Sequence, residues 1–132
     1  MNIRKYTSAD SDILFDLIKR EGDEWRDYWC ETGRAKYQKA IDNSIVYLVF
    51  ESDILCGYLR CHDDYGFGIY VQDLLVDKAY RGKDYGRLLM ERVYRDYPDD
   101  VVYVMGDVPV YYEDKLGYKI EGKIYVVRGN QT

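Results

Sequence analysis

Apolar residues recur at two spacings along the 132-residue chain, every second position in some stretches and every third or fourth in others. Ile3 to Tyr6 is a short strand-like run, and Ser8 or Asp10 is placed to cap a helix after it. In that helix Ile13, Leu14, Leu17 and Ile18 form one stripe, with Asp12, Asp16, Lys19 and Glu21 toward water, and Gly22 as its stop. Glu24 to Cys30 then sets Trp25, Tyr28 and Trp29 among charges. That composition suits either a wall over a groove or a plug at the edge of the core. A second helix is predicted over Arg34 to Ile41. Ile45 to Phe50 and Ile54 to Cys61 read as two strands of a hairpin joined by Glu51-Ser52-Asp53. The turn His62 to Gly68, with two aspartates and two glycines, leads into a third strand, Ile69 to Val76.

A charged loop, Asp77 to Asp84, follows, and from Tyr85 to Tyr94 the spacing of Leu88, Leu89 and Val93 is helical. Pro98-Asp99-Asp100 breaks the chain before a further strand, Val101 to Met105. Gly106 to Pro109 opens a short helix that Gly117 ends. Tyr118 to Ile120 and Lys123 to Val127 are predicted as a last pair of strands, the second of them apolar enough to pair between subunits of a homodimer or to be covered within a monomer. Consecutive antiparallel strands combined with crossover helices predict an α+β architecture with a mixed, mostly antiparallel sheet. No linker or repeat interrupts residues 1–132, which are expected to form one domain.

The formal net charge of −5 disfavours nucleic acid as a partner. The longest apolar run, Ile45 to Phe50, is far short of a membrane span, and the polar N-terminus lacks a signal-peptide core, so a cytoplasmic location is expected. Three cysteines, an odd number, fit a reducing compartment. Cys56 and Cys61, five apart in one strand, are expected on opposite faces. With one histidine and no Cys-x-x-Cys, no metal site is expected.

The strand Tyr70–Val76, the glycine-bearing loop and the helix from Tyr85 together form an anion site. The first N–H groups of a helix lack intrahelical partners and sit at the positive end of its dipole, which suits phosphate. The stretch from Asp73 through Leu74-Leu75-Val76-Asp77-Lys78-Ala79-Tyr80-Arg81-Gly82-Lys83-Asp84-Tyr85-Gly86-Arg87 to Leu89 resembles the acetyl-coenzyme A signature of the GNAT-type N-acetyltransferase superfamily. That signature is an apolar strand, then Arg or Gln, two variable residues, Gly, one variable residue, and Gly or Ala. Tyr112-Glu113-Asp114-Lys115-Leu116-Gly117-Tyr118 is similar to the family's second segment, and Ile3 to Asp10 to its first strand and turn. The resemblance covers essentially the whole chain. It implies a GNAT-like fold whose central strands splay around the pantetheine arm of acetyl-CoA. The backbone of Leu74, Leu75 and Val76 would bind that arm, and Arg81, Gly82, Lys83, Asp84, Tyr85, Gly86 and Arg87 the pyrophosphate. The reaction implied is transfer of acetyl to an amine acceptor, in which one well-placed N–H stabilises the developing oxyanion.

Two departures from the family pattern bear on this reading. Asp84 stands where the signature has its first glycine; its charge repels phosphate, or it caps the helix and occupies the same donors. Arg81, Lys83 and Arg87 offset it, leaving that segment at +2. The family's tyrosine general acid typically lies four residues before the late glycine, where this chain has Glu113. Tyr112 is the favoured candidate and Tyr111 the second. Tyr112 reaches the leaving sulfur only if the helix is shifted or ends in a wider turn. The acceptor amine must also lose a proton. The family's Glu-Asp pair is Gln72-Asp73 here, so Asp73 is the candidate base, with a water chain from Asp63, Asp64 or Tyr70, or His62, as alternatives. The leading expectation is an acetyl-CoA-dependent N-acetyltransferase acting on a primary amine by direct attack, without metal. The alternative is a non-catalytic or degenerate acyl-CoA-binding domain.

Overall fold

A computed structural model of the chain describes residues 1–106 and 108–129. Five strands form one sheet in the order β1 (Asn2–Lys5), β2 (Ile45–Glu51), β3 (Ile54–Asp63), β4 (Ile69–Val76) and β5 (Val102–Val104). The first three pairings are antiparallel and β4–β5 is parallel, so the sheet is mixed and mostly antiparallel. On one face lie α1 (Ser11–Glu21), the short α2 (Arg26–Trp29) and α3 (Glu31–Asp42); α4 (Tyr85–Asp96) covers the other.

The stripe predicted for α1 is realised by Leu14, Leu17 and Ile18, buried with Phe15 against Leu48, Tyr58 and Leu75, while Ile13 is left exposed. Trp25, Tyr28 and Trp29 pack against this cluster, and Trp29 Nε1 donates to Gly22 O over 2.9 Å. The aromatic segment is therefore a plug at the core's edge. Helix α3 starts at Glu31, three residues earlier than expected, with Cys30 Sγ accepting from Gly33 N–H at 3.3 Å. Gly33 obscures that start in the sequence. It is needed because any Cβ there would overlap the Asp27 carbonyl.

Three expectations are corrected. Cys56 and Cys61 both face α4, because the register shift after Val49 leaves Cys56 as an extra residue in β3 and turns it to the other side. Both thiols are free and buried. The terminal strand pair does not form: residues 118–129 carry no strand, and Ile120, Ile124, Tyr125, Val126 and Val127 are exposed. Asp84 makes no side-chain cap to α4. No described helix is long and apolar enough to cross a membrane.

Candidate active site

The site is built along β4. Its β3 edge is paired from Ile69 to Val76 at every residue but Gln72, whereas its β5 edge is paired only at Ile69, Tyr70 and Val71. The last bond across that seam runs from Met105 N–H to Val71 O at 3.0 Å, after which the strands part. In β4 the register passes from Cys61↔Val71 to Arg60↔Asp73, leaving Gln72 as a bulge. Beyond it, Asp77 N–H donates to Cys56 O at 2.8 Å. Antiparallel alternation then turns the N–H and C=O of Asp73 and Leu75 toward β3, and those of Leu74 and Val76 toward the opening. Leu75 thus offers the opening no backbone donor. Val76 O already accepts from Arg81 Nε at 2.9 Å.

The loop that closes one end of the opening is held by ion pairs. Asp77 accepts from Ala79 N–H and pairs with Arg20 at 2.9 Å. Arg81 pairs with Glu21 at 2.6 Å, and Lys83 with Glu51 at 3.2 Å. Tyr85 donates to Glu51 at 2.6 Å, which holds the Glu51 carboxyl low and pushes the Tyr85 phenol up to about 12. Of the residues expected around phosphate, Arg81, Lys83 and Tyr85 therefore direct their side chains to neighbouring carboxylates. Asp84 has φ +63°, the left-handed conformation that explains why glycine suits this position. Its carboxylate is exposed and lies 3.8 Å from Arg87. The intrahelical ladder of α4 begins with Leu88 N–H to Asp84 O at 3.0 Å, so the N–H groups of Tyr85, Gly86 and Arg87 have no such partner.

The far wall is a single π-helical turn, Val110–Lys115, with Leu116 N–H reaching back five residues to Tyr111 O at 3.0 Å. This is a wider turn of the kind that Tyr112 requires. Gly117, at φ +72°, ends it as expected. The Tyr112 ring lies against Gly106, where a Cβ would come within 2.9 Å of it, directly after β5. Tyr111 stands on the opposite side, its hydroxyl occupying the space of the missing Gly86 Cβ, and burial raises its phenol pKa. The two tyrosines meet edge to face at 5.1 Å.

Asp73, 9% exposed, closes the floor on the α3 side. Its Oδ2 accepts from Arg60 Nε at 2.6 Å and from Tyr37 OH at 2.5 Å, and Tyr37 in turn meets Tyr58 OH at 2.7 Å. Burial opposes the Arg60 charge, but Asp73 outweighs that and raises its pKa. Arg60 Nη1 also meets Ser44 Oγ at 3.2 Å and His62 Nε2 at 3.1 Å. Burial and the Arg60 charge lower the His62 pKa, and with Nε2 accepting from Arg60 this ring is ill placed to take a proton there. The network members Arg60, Tyr37 and Tyr58 carry no motif. Alternation places Tyr58 and Arg60 on one face of β3, but only the register across the Gln72 bulge brings them, and Tyr37 from α3, to Asp73. Among the described residues no cluster of three His, Cys, Asp or Glu side chains is placed to hold a metal.

No curated protein matches the chain significantly in sequence. Solved structures share its fold. A GNAT family acetyltransferase from Streptococcus pneumoniae TIGR4 is 22% identical, with a TM-score of 0.70 over 97% of this chain and 98% of the other. An aminoglycoside acetyltransferase from an uncultured soil metagenomic sample is 19% identical, with a TM-score of 0.74 over 98% of both chains. An aminoglycoside 6'-N-acetyltransferase complexed with coenzyme A is 18% identical, with a TM-score of 0.71 over 92% of this chain and 87% of the other. The model of the acetyltransferase (GNAT) family matches residues 12–115. The chain belongs to the GNAT acetyltransferase family.

Proposed function

We propose that the protein transfers acetyl from acetyl-CoA to a primary amine by direct attack. The observation that carries this reading is the parting of β4 and β5 after Val71, with the uncapped N-terminus of α4 beside it. The groups present fit the cofactor: backbone N–H groups at the head of α4 suit phosphate oxygens, and the open edge of β4 suits an amide-bearing arm. When bound, acetyl-CoA supplies the activated acetyl group. Leu74 N–H or Val76 N–H stabilises the developing oxyanion from the open edge. Tyr112, at the start of the opening on the β5 side, protonates the departing sulfur. Asp73 receives the amine proton, through water, on Oδ1, the oxygen that neither Arg60 nor Tyr37 engages. Arg60 and Tyr37 hold that carboxylate in place. A thiol-release assay over a panel of primary amines tests the reading. Turnover in the wild type that falls in Tyr112→Phe supports it, and thiol release at the solvent rate with every amine contradicts it.

A second reading, a domain that binds acyl-CoA without turnover, is favoured by Asp84 and by the pairing of Arg81 and Lys83 with Glu21 and Glu51. Binding of acetyl-CoA without amine-dependent thiol release would select it.

A further inference from the structure

The sheet face that carries Asp73 is covered along only part of its width. Helices α1 and α3 bury Leu48, Tyr58 and Leu75, and the Arg60–Asp73–Tyr37 network forms the polar border of that covered region. Beyond the border three side chains share one register row, His62 on β3, Tyr70 on β4 and Tyr103 on β5. Register partners lie on the same face of a sheet. The Tyr70 and Tyr103 rings are stacked, with centroids 5.1 Å apart and planes within 18°. Gly68, at φ +129°, makes room for this pair: a Cβ there would stand 3.0 Å from Tyr103 and 3.1 Å from Tyr70.

Among the described residues strand β5 is the edge of the sheet, and no further strand flanks Tyr103 there. Tyr70 and Tyr103 are among the residues that line a cavity of about 850 Å3 around the β5 edge, together with Gly106 and, from the α4 side, Met90, Val102, Val104 and Tyr112. Tyr103 is one residue pair before the last pairing of that seam. A ring placed in this cavity against the outer face of Tyr103 would extend the stack by one member, with its side-chain amine directed toward the opening. Charge does not favour a polycation there, because Glu91, Glu113 and Glu121 are matched by Arg87, Lys119 and Lys123. Aromatic and apolar surface is what the cavity offers in excess.

We propose that the Tyr70–Tyr103 stack is the acceptor platform and that it selects amines bearing an aromatic ring, of the arylalkylamine class, over polyamines and aminoglycosides. The proposal rests on the acetyl-transfer reading and names the substrate class for that site. Aromatic stacking of this kind is worth roughly threefold to tenfold in affinity.

The test compares tryptamine, spermidine and an aminoglycoside as acceptors for the full-length protein, using wild type, Tyr103→Leu and Tyr103→Phe. The expected result is a kcat/KM preference for tryptamine. In Tyr103→Leu the tryptamine KM rises roughly threefold to tenfold, with a smaller change in kcat, and the spermidine KM is not raised in parallel. Tyr103→Phe, which keeps the ring, keeps the preference. A preference for spermidine or the aminoglycoside, or equal KM changes for all three amines in Tyr103→Leu, overturns the proposal while leaving acetyl transfer standing. If no amine releases thiol, calorimetry of tryptamine into the protein saturated with coenzyme A decides separately. Binding that Tyr103→Leu weakens and Tyr103→Phe retains supports the platform without turnover, and absence of binding overturns it.

Discussion

One edge of β4 is paired from Ile69 to Val76 apart from the bulge at Gln72, and the other only from Ile69 to Val71, although both belong to the same eight residues. The closed edge is sealed further by side chains: Arg60 holds Asp73 across the β3 seam and Tyr37 holds it from α3. The open edge has lost its neighbour because β5 is three residues long and gives way at Met105-Gly106 to the turn bearing Tyr112. Leu74 and Val76 therefore behave as edge residues within a strand that is interior by sheet order. A central strand with unpaired backbone groups must satisfy them with something else, and an extended ligand arm carrying amides is a suitable partner. The contrast locates the chemistry on backbone groups, which side-chain patterns disclose only indirectly.

The largest expected effect breaks the open edge. Tyr112→Phe should lower kcat by about 10²–10⁴ if this phenol is the general acid, with little change in acetyl-CoA affinity by calorimetry. Next, Arg60→Met breaks the closed edge by leaving Asp73 buried without its cation. It should cost about 3–5 kcal/mol of stability, read as a lower urea midpoint at unchanged slope. Gly86→Ala sharpens the comparison by pushing the Tyr111 hydroxyl out of its place beside α4, at a cost of about 1–3 kcal/mol. Adding Tyr111→Phe, which leaves ring carbon Cζ 3.3 Å from the new Cβ, should recover most of that loss in a double-mutant cycle of thermal unfolding. The smallest effect is that of Asp84→Gly. It relaxes a left-handed residue by up to about 1 kcal/mol and removes one charge beside the α4 N-terminus. Acetyl-CoA should bind a few-fold tighter in low salt, with the gain shrinking as salt rises.

Much of this was legible in the sequence because hydrophobic spacing and glycine placement speak directly to backbone geometry. The Leu14, Leu17 and Ile18 stripe, the hairpin around Ser52 and the strand-loop-helix unit at Tyr70–Tyr94 all rest on such signals. What was not legible depends on extra residues and on partners distant in the chain. The bulges at Cys56 and Gln72 add one residue to an alternating pattern, and no local signal marks which strand carries it. The first of them put Cys56 and Cys61 on one face where a period of two separates them. The pairings of Arg81 with Glu21 and of Lys83 with Glu51 join positions far apart in sequence, so a local charge count of +2 overstated what the loop presents to phosphate. The apolar spacing of Tyr118–Ile120 and Lys123–Val127 implied strands, but a strand forms only when it pairs with a neighbouring edge, and residues 118–129 pair with none, the β5 edge included. For the site, the glycine-bearing loop with Gly82 and Gly86 was readable from the sequence and Asp84 stood out only against the family signature, whereas the Arg60–Asp73–Tyr37–Tyr58 network required the register.

The most direct test is an amide chemical-shift titration of the isotopically labelled protein with acetyl-CoA. The account predicts saturable shifts at Leu74 and Val76 and across Gly82–Arg87, with Asp73 and Leu75, whose N–H groups bond to β3, moving less. Shifts confined to other parts of the sheet, or none at millimolar acetyl-CoA, would contradict it.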